Sequence, residues 1–217
     1  QKSQIVRLNS KDLQPKRRHL FNIVNSQNNE RLFFADKVIL VEGLSDRIFF
    51  EAVLKHLTKD RPLTATIEII AVGGKGLFES YKNVLRACSI DFAIIADQDY
   101  LEEIGSENIK GLFMLDAKEV KSDVVENVKS TDGEALVNSV ERAIETGSWE
   151  GANQIWEYIK SRRKRLKAEL NDREREHLEK FISQKRSEGV FVLSLGALEA
   201  YLQHECKSKD MDGLIYL

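Results

Sequence analysis

Four carboxylates in this chain stand where an apolar run stops. Glu42 closes Val38-Ile39-Leu40-Val41, and Asp46 follows four residues later. Asp97 and Asp99 close Phe92-Ala93-Ile94-Ile95-Ala96. In extended chain, residues two apart point to the same side, so Asp97 and Asp99 can reach one site together. If the two runs are neighbouring strands, Glu42 faces that pair across the strand spacing of about 5 Å. Carboxylates gathered this closely repel one another unless cations sit among them. All-oxygen ligands without His or Cys favour Mg²⁺ or Mn²⁺ over zinc. Two such ions roughly 4 Å apart can hold the attacking water and the leaving oxygen of a phosphodiester in line.

The elements that must position these groups follow from hydrophobic pattern. Val38–Val41 is short, β-branched and bounded by Glu42-Gly43, as a buried parallel strand would be. Ser45 is a candidate N-cap for a helix carrying Ile48, Phe49, Ala52, Val53 and Leu57 at helical spacing. Ile67–Val72 predicts a second strand, ending at Gly73-Gly74-Lys75-Gly76. A helix with Phe78, Tyr81, Val84 and Leu85 on one face follows, then the strand Phe92–Ala96 and a fourth at Gly111–Leu115. Strand and helix alternating through short connections predict an open α/β sheet, whose ligands gather beyond the carboxyl ends of the strands.

From Ala117 to about Ser187 the pattern turns helical and charged. Ala135, Val140 and Ile144 fit one helix, and Ile155, Ile159, Leu166, Leu170, Leu178 and Phe181 the narrow stripe of a much longer one. Val190–Leu193 returns to strand character, before Ser194-Leu195-Gly196 and a helix with Leu198, Glu199 and Leu202. The expected organisation is a polar lead-in over 1–35, an α/β core over 36–116, a helical insertion over 117–188, and the core resumed over 189–217.

Composition narrows the classes. Lys+Arg 33 against Asp+Glu 35 leaves no global basic signature, so a polyanion would be held by a local patch or by bound cations. Cys88 and Cys206 make neither a disulfide framework nor a zinc ribbon, and an intracellular compartment is the simplest fit. No apolar run approaches the roughly 18 residues of a bilayer span. A chain opening at Gln1 is expected to be a piece of a longer protein.

Each motif also has a plainer reading. An Asp-x-Asp after a strand commonly just ends it, and Asp46 in a first helical turn favours the helix dipole. Their joint placement lifts the metal reading. Together, Val38–Asp46, reading Val-Ile-Leu-Val-Glu-Gly-Leu-Ser-Asp, and Phe92–Asp99, ending Ala-Asp-Gln-Asp, resemble the two acidic motifs of Toprim domains. Val72-Gly73-Gly74-Lys75-Gly76 and Val192–Glu199 are closer to the OLD (overcoming lysogenisation defect) nucleases than to topoisomerases or primases.

The resemblance runs from about Ala35 to Leu202. It implies a Toprim-like α/β fold, a sheet of mostly parallel strands flanked by helices with a helical insertion. It implies a DNA endonuclease in which Glu42, Asp46, Asp97, Asp99 and Glu199 share two Mg²⁺ or Mn²⁺ ions, with Glu42, Asp97 and Asp99 as the main ligands. It further implies a lysine near the scissile phosphate. Lys209 and Lys207, after Glu199, are the candidates, with Lys75 on the Gly-rich turn a third. Glu199 beside Leu198 and Leu202 reads equally as a solvated helix face. The resemblance also implies an ABC-type ATPase domain earlier in the full-length protein, homo-oligomerisation through that domain, and a bacterial cytoplasmic setting in phage defence or DNA repair. No Walker A motif occurs, so ATP hydrolysis is not expected of this chain.

Lys160–Lys167 holds six basic residues in eight. Arg162, Arg163, Lys164, Arg165 and Lys167 are candidates to grip a phosphate backbone; a helix face paired with Glu157, Glu169 and Asp172 accounts for them equally well. Lys75 lies on a turn whose N–H groups could cradle phosphate and is a further candidate nucleic-acid contact, although a plain tight turn is the first reading and phosphate contact the second. His204 and Cys206 are too few for zinc. Two rival functions stand beside the nuclease: a catalytically silent Toprim-like module that binds DNA or assembles with partners, and a signalling domain phosphorylated on Asp97.

Overall fold

The computed structural model describes residues 27–60, 63–115, 131–161 and 164–201. Its centre is a four-stranded, all-parallel sheet in the order β2-β1-β3-β6, with β1 Lys37–Val41, β2 Ile67–Ala71, β3 Asp91–Ala96 and β6 Val190–Val192. β1 is central: Lys37 to Leu40 pair with Asp91 to Ile94 on one side, and Lys37 to Val41 with Ile67 to Ala71 on the other. Its Val38, Leu40 and Val41 are fully buried, as are Ile94 of β3 and Val84 and Leu85 of helix α2 (Phe78–Ala87). Burying a side chain of this size contributes about 1.5–3 kcal/mol. The predicted parallel α/β sheet is what forms.

Helix α1, Leu44–Thr58, begins one residue before the predicted cap. Its N-cap is Gly43, not Ser45, and the Gly43 N–H donates to Asp46 Oδ2 at 2.7 Å, the N3 half of a capping box. The apolar stripe of α1 is not sealed: no residue in it is fully buried, and Leu57 is 69% exposed. Before β1, the 3₁₀ segment Gln27–Phe34 buries Leu32 and leaves Phe34 exposed.

The predicted fourth strand forms but does not join the sheet. After the short helices α3 (Tyr100–Ile104) and α4 (Glu107–Lys110), β4 Phe113–Leu115 pairs antiparallel with β5 Lys164–Leu166. The single long helix expected from Ile155 to Phe181 is likewise replaced by two. Helix α6, Glu150–Ser161, precedes β5, and α7, Asp172–Ser187, follows it. A capping box sets the second start: Glu174 N–H donates to Asn171 Oδ1 at 2.9 Å, and Asn171 N–H to Glu174 Oε2 at 3.1 Å. Leu166 therefore packs from a strand. The basic run is no helix face through Lys164–Leu166, and Lys167 Nζ bonds Glu174 at 3.0 Å rather than Glu169 or Asp172. The Asn171 N–H first, then the Lys167 ammonium, hold the Glu174 carboxyl below its ordinary range.

The described residues form two compact units, one from those up to Glu103 with those from His177 on, the other from Ile104–Glu176. In the second, α5 (Thr131–Thr146) packs on α6, burying Ala143, Ala152 and Ile159. Among the described residues no helix is long and apolar enough to cross a membrane.

Candidate active site at the strand ends

Backbone hydrogen bonds draw the carboxyl ends of all four parallel strands together. Beyond β1, the Glu42 carbonyl accepts the N–H of Gly73 at 2.9 Å and of Gly74 at 3.1 Å. This fastens the Gly-rich turn of β2 onto the residue that ends β1. Gly73 and Gly74 take φ of 84° and 123°, which residues with a Cβ adopt only under strain. Beyond β3, Gln98 N–H donates to the Gly196 carbonyl at 2.8 Å, and Leu193 N–H to the Ala96 carbonyl at 3.0 Å. The Ser194-Leu195-Gly196 segment is thus tied to the Asp-x-Asp loop.

Glu42 and Asp97 are each the first residue past strands that pair directly, and both are partly buried. Extending the β1–β3 register puts Glu42 level with Ala96, immediately before Asp97. The sequence condition that these strands be neighbours is therefore met. Asp46 stands one helical turn into α1, with Oδ2 on the Gly43 N–H. Among the described residues, no three His, Cys, Asp or Glu side chains stand together as a ready metal cage.

Asp99 is held differently. Its Oδ2 accepts from Lys75 Nζ at 2.8 Å, and the lysine side chain is only 8% exposed. Its Oδ1 is buried and accepts no hydrogen bond among the described residues. A buried carboxylate oxygen without a donor costs roughly 1–3 kcal/mol or more, and such an atom fits a cation. The donor set Glu42, Asp97 and Asp99 is all carboxylate, the chemistry a hard divalent ion takes. Those residues suit Mg²⁺ or Mn²⁺ by type, and Asp99 Oδ1 is an oxygen left for one.

Lys75 is thus paired with Asp99, across the strand ends. The sequence singled it out for the Gly-rich turn and did not foresee its partner. The available signal was topological: a lysine just past one strand of a parallel sheet lies at the edge where the other strands also end. Lys164, Arg165 and Lys167 lie on or after β5, away from the parallel sheet in sequence and sheet membership. The Glu199 backbone lies in the 3₁₀ segment Leu198–Tyr201. Its side chain, and Arg162, Arg163, Lys207 and Lys209, lie outside the described residues.

Comparison with known proteins agrees with the motifs. The family described as overcoming lysogenization defect protein-like, TOPRIM domain, matches residues 33–99, which run from before β1 through Asp99. A curated relative, the Old nuclease of Escherichia phage P2, is 23% identical over 188 residues, 87% of this chain. The chain spans 30% of that relative's length. No solved structure matches this chain. The family that the two acidic motifs resemble is the family whose Toprim-domain model this chain matches, from residue 33 to residue 99.

Proposed function

We propose that this chain is the nuclease part of a longer protein and hydrolyses DNA phosphodiester bonds at the strand ends, using divalent metal ions. The observation that carries the reading is the placement of Glu42 and the Asp97-Gln98-Asp99 loop on directly paired parallel strands, inside the segment matching the OLD-like Toprim family. Glu42, Asp97 and Asp99 would hold the ions, with Asp46 and Glu199 completing the shell. When bound, Mg²⁺ or Mn²⁺ supplies activation of water and neutralisation of phosphate charge. The protein's own part is to fix carboxylates on a buried sheet, so that their orientation costs little at the moment of reaction. Lys209 or Lys207 would meet the charge that develops on the phosphate. Arg162, Arg163, Lys164, Arg165 and Lys167 would hold the DNA backbone without reading sequence. The remaining length of the full protein would hold the ABC-type ATPase domain.

A second reading is a Toprim-like module that binds DNA without cutting it. It is favoured by the absence, among the described residues, of three acidic groups standing together. Supercoiled plasmid separates the two. Incubated with Mn²⁺, the chain is expected to nick it, and a chelator to stop the reaction. Glu42→Ala and Asp97→Ala are each expected to lose more than about 100-fold in rate with unchanged circular dichroism, beyond the 10–100-fold typical of residues merely supporting a ligand. Binding without nicking selects the silent module. Cleavage by either variant at the wild-type rate removes the assigned centre.

A further inference from the structure

The Lys75–Asp99 pair joins residues 24 apart, across the ends of the parallel strands. A lysine side chain 8% exposed is unusual, because lysine is almost never buried without a partner. Exposed ion pairs contribute little, whereas losing one partner of a buried pair strands the other charge. The turn carrying Lys75 is pinned by two hydrogen bonds to the Glu42 carbonyl. The ammonium is therefore delivered by the fold to the end of β1 and β3, and is not a passing surface contact. It takes one oxygen of Asp99 and leaves the other buried with no donor among the described residues.

We propose that Lys75 is the resident counter-cation of the acidic centre. It holds Asp99 by Oδ2, stabilises that carboxylate while no divalent ion is bound, and leaves Oδ1 for the ion. Lys75 is then a positioning residue acting through Asp99, and neither a DNA contact nor a catalytic lysine. The ion-facing half of this inference rests on the metal-dependent reading above; the Lys75–Asp99 coupling does not. Two consequences follow. Without Lys75 the metal-free protein carries an uncompensated anion and loses stability. A divalent ion then restores more in the variant than in the wild type, because it supplies the missing positive charge and no longer meets a repelling ammonium.

The test is thermal unfolding of the whole chain as wild type, Lys75→Met, Asp99→Asn and the double variant, each with chelator and with Mn²⁺. With chelator, Lys75→Met is expected to fall by about 5 °C or more, and the double variant to recover most of that loss. With Mn²⁺, Lys75→Met is expected to gain more in midpoint than wild type. Equal losses in Lys75→Met and the double variant would overturn the counter-cation role, since a packing role is blind to the charge on Asp99. Coupling in chelator with no Mn²⁺ shift in wild type or variant would retain the Lys75–Asp99 role, and would overturn the ion-facing half with the metal reading. Should Lys75→Met not fold, the midpoints of Lys75→Arg and Lys75→Gln decide. Arg is expected to keep most of the wild-type value and Gln to lose it; equal values overturn the proposal.

Discussion

The parallel sheet and the 104–176 unit handle charge in opposite ways. At the sheet, charged groups far apart in sequence meet because parallel strands end together. Lys75 and Asp99 come from the ends of β2 and β3, on either side of β1. In the other unit, two pairs among the described residues join near neighbours, Lys110 with Glu107 and Lys167 with Glu174. Topology alone could create the first kind, and in it Lys75 is 8% exposed and Asp99 33%. The second is local, and where exposed it is worth about 0–1 kcal/mol per pair. Charge on the sheet is therefore read as chemistry, and charge elsewhere first as solvation.

That contrast breaks if the basic segment proves essential to cutting. Changing Lys164 and Arg165 together to Gln is expected to lower DNA affinity by roughly 10-fold near physiological salt, and to reduce the salt slope of binding by about two. Cleavage at saturating DNA is expected to stay at the wild-type rate. Filter binding across a salt series, beside plasmid nicking, checks both. An unchanged slope assigns these residues to solvation, whereas a lost maximal rate puts them in the active centre.

A smaller effect sharpens the sheet side. Tyr100 follows Asp99 directly and packs on Phe78 with ring centroids 4.8 Å apart. Burial first, then the Glu79 and Glu103 carboxylates, push its phenol up to about 12 from an ordinary 10.0. The folded state thus favours the neutral phenol. Its contribution is fully present below the unfolded value and is lost as pH rises through the folded one. Urea midpoints should therefore fall between about pH 10 and 12. Tyr100→Phe is expected to change little at pH 7 and to show a shallower fall in that window. Equal slopes for the two proteins would contradict the assignment.

How much was legible in the sequence follows the same divide. Val38–Val41 and Phe92–Ala96 were readable because strands buried on both faces must be continuously apolar, and Ile67–Ala71 because Glu68 alone interrupts its apolar run. Glu42, Asp97 and Asp99 were readable because polar residues that end such strands stand out. The sequence could not show that Phe113–Leu115 would leave the parallel sheet, because a short apolar run carries no record of its partner. Nor did helical periodicity reveal the break between Ser161 and Asp172. There the capping box at Asn171 decides, although the six apolar residues at helical spacing run across it. The Lys75–Asp99 pair was hidden for a different reason: it exists only once the strand order is known.

Glu42, Asp97 and Asp99 are proposed to act as a shared divalent-ion site although they come from two strands, β1 and β3. Electron paramagnetic resonance of free Mn²⁺, titrated with the chain in the absence of DNA, measures this directly. The wild type is expected to bind Mn²⁺, and Glu42→Ala, Asp97→Ala and Asp99→Asn each to weaken it by more than about 10-fold. Binding that survives all three substitutions unchanged, or no binding by the wild type, would contradict a shared ion at the strand ends.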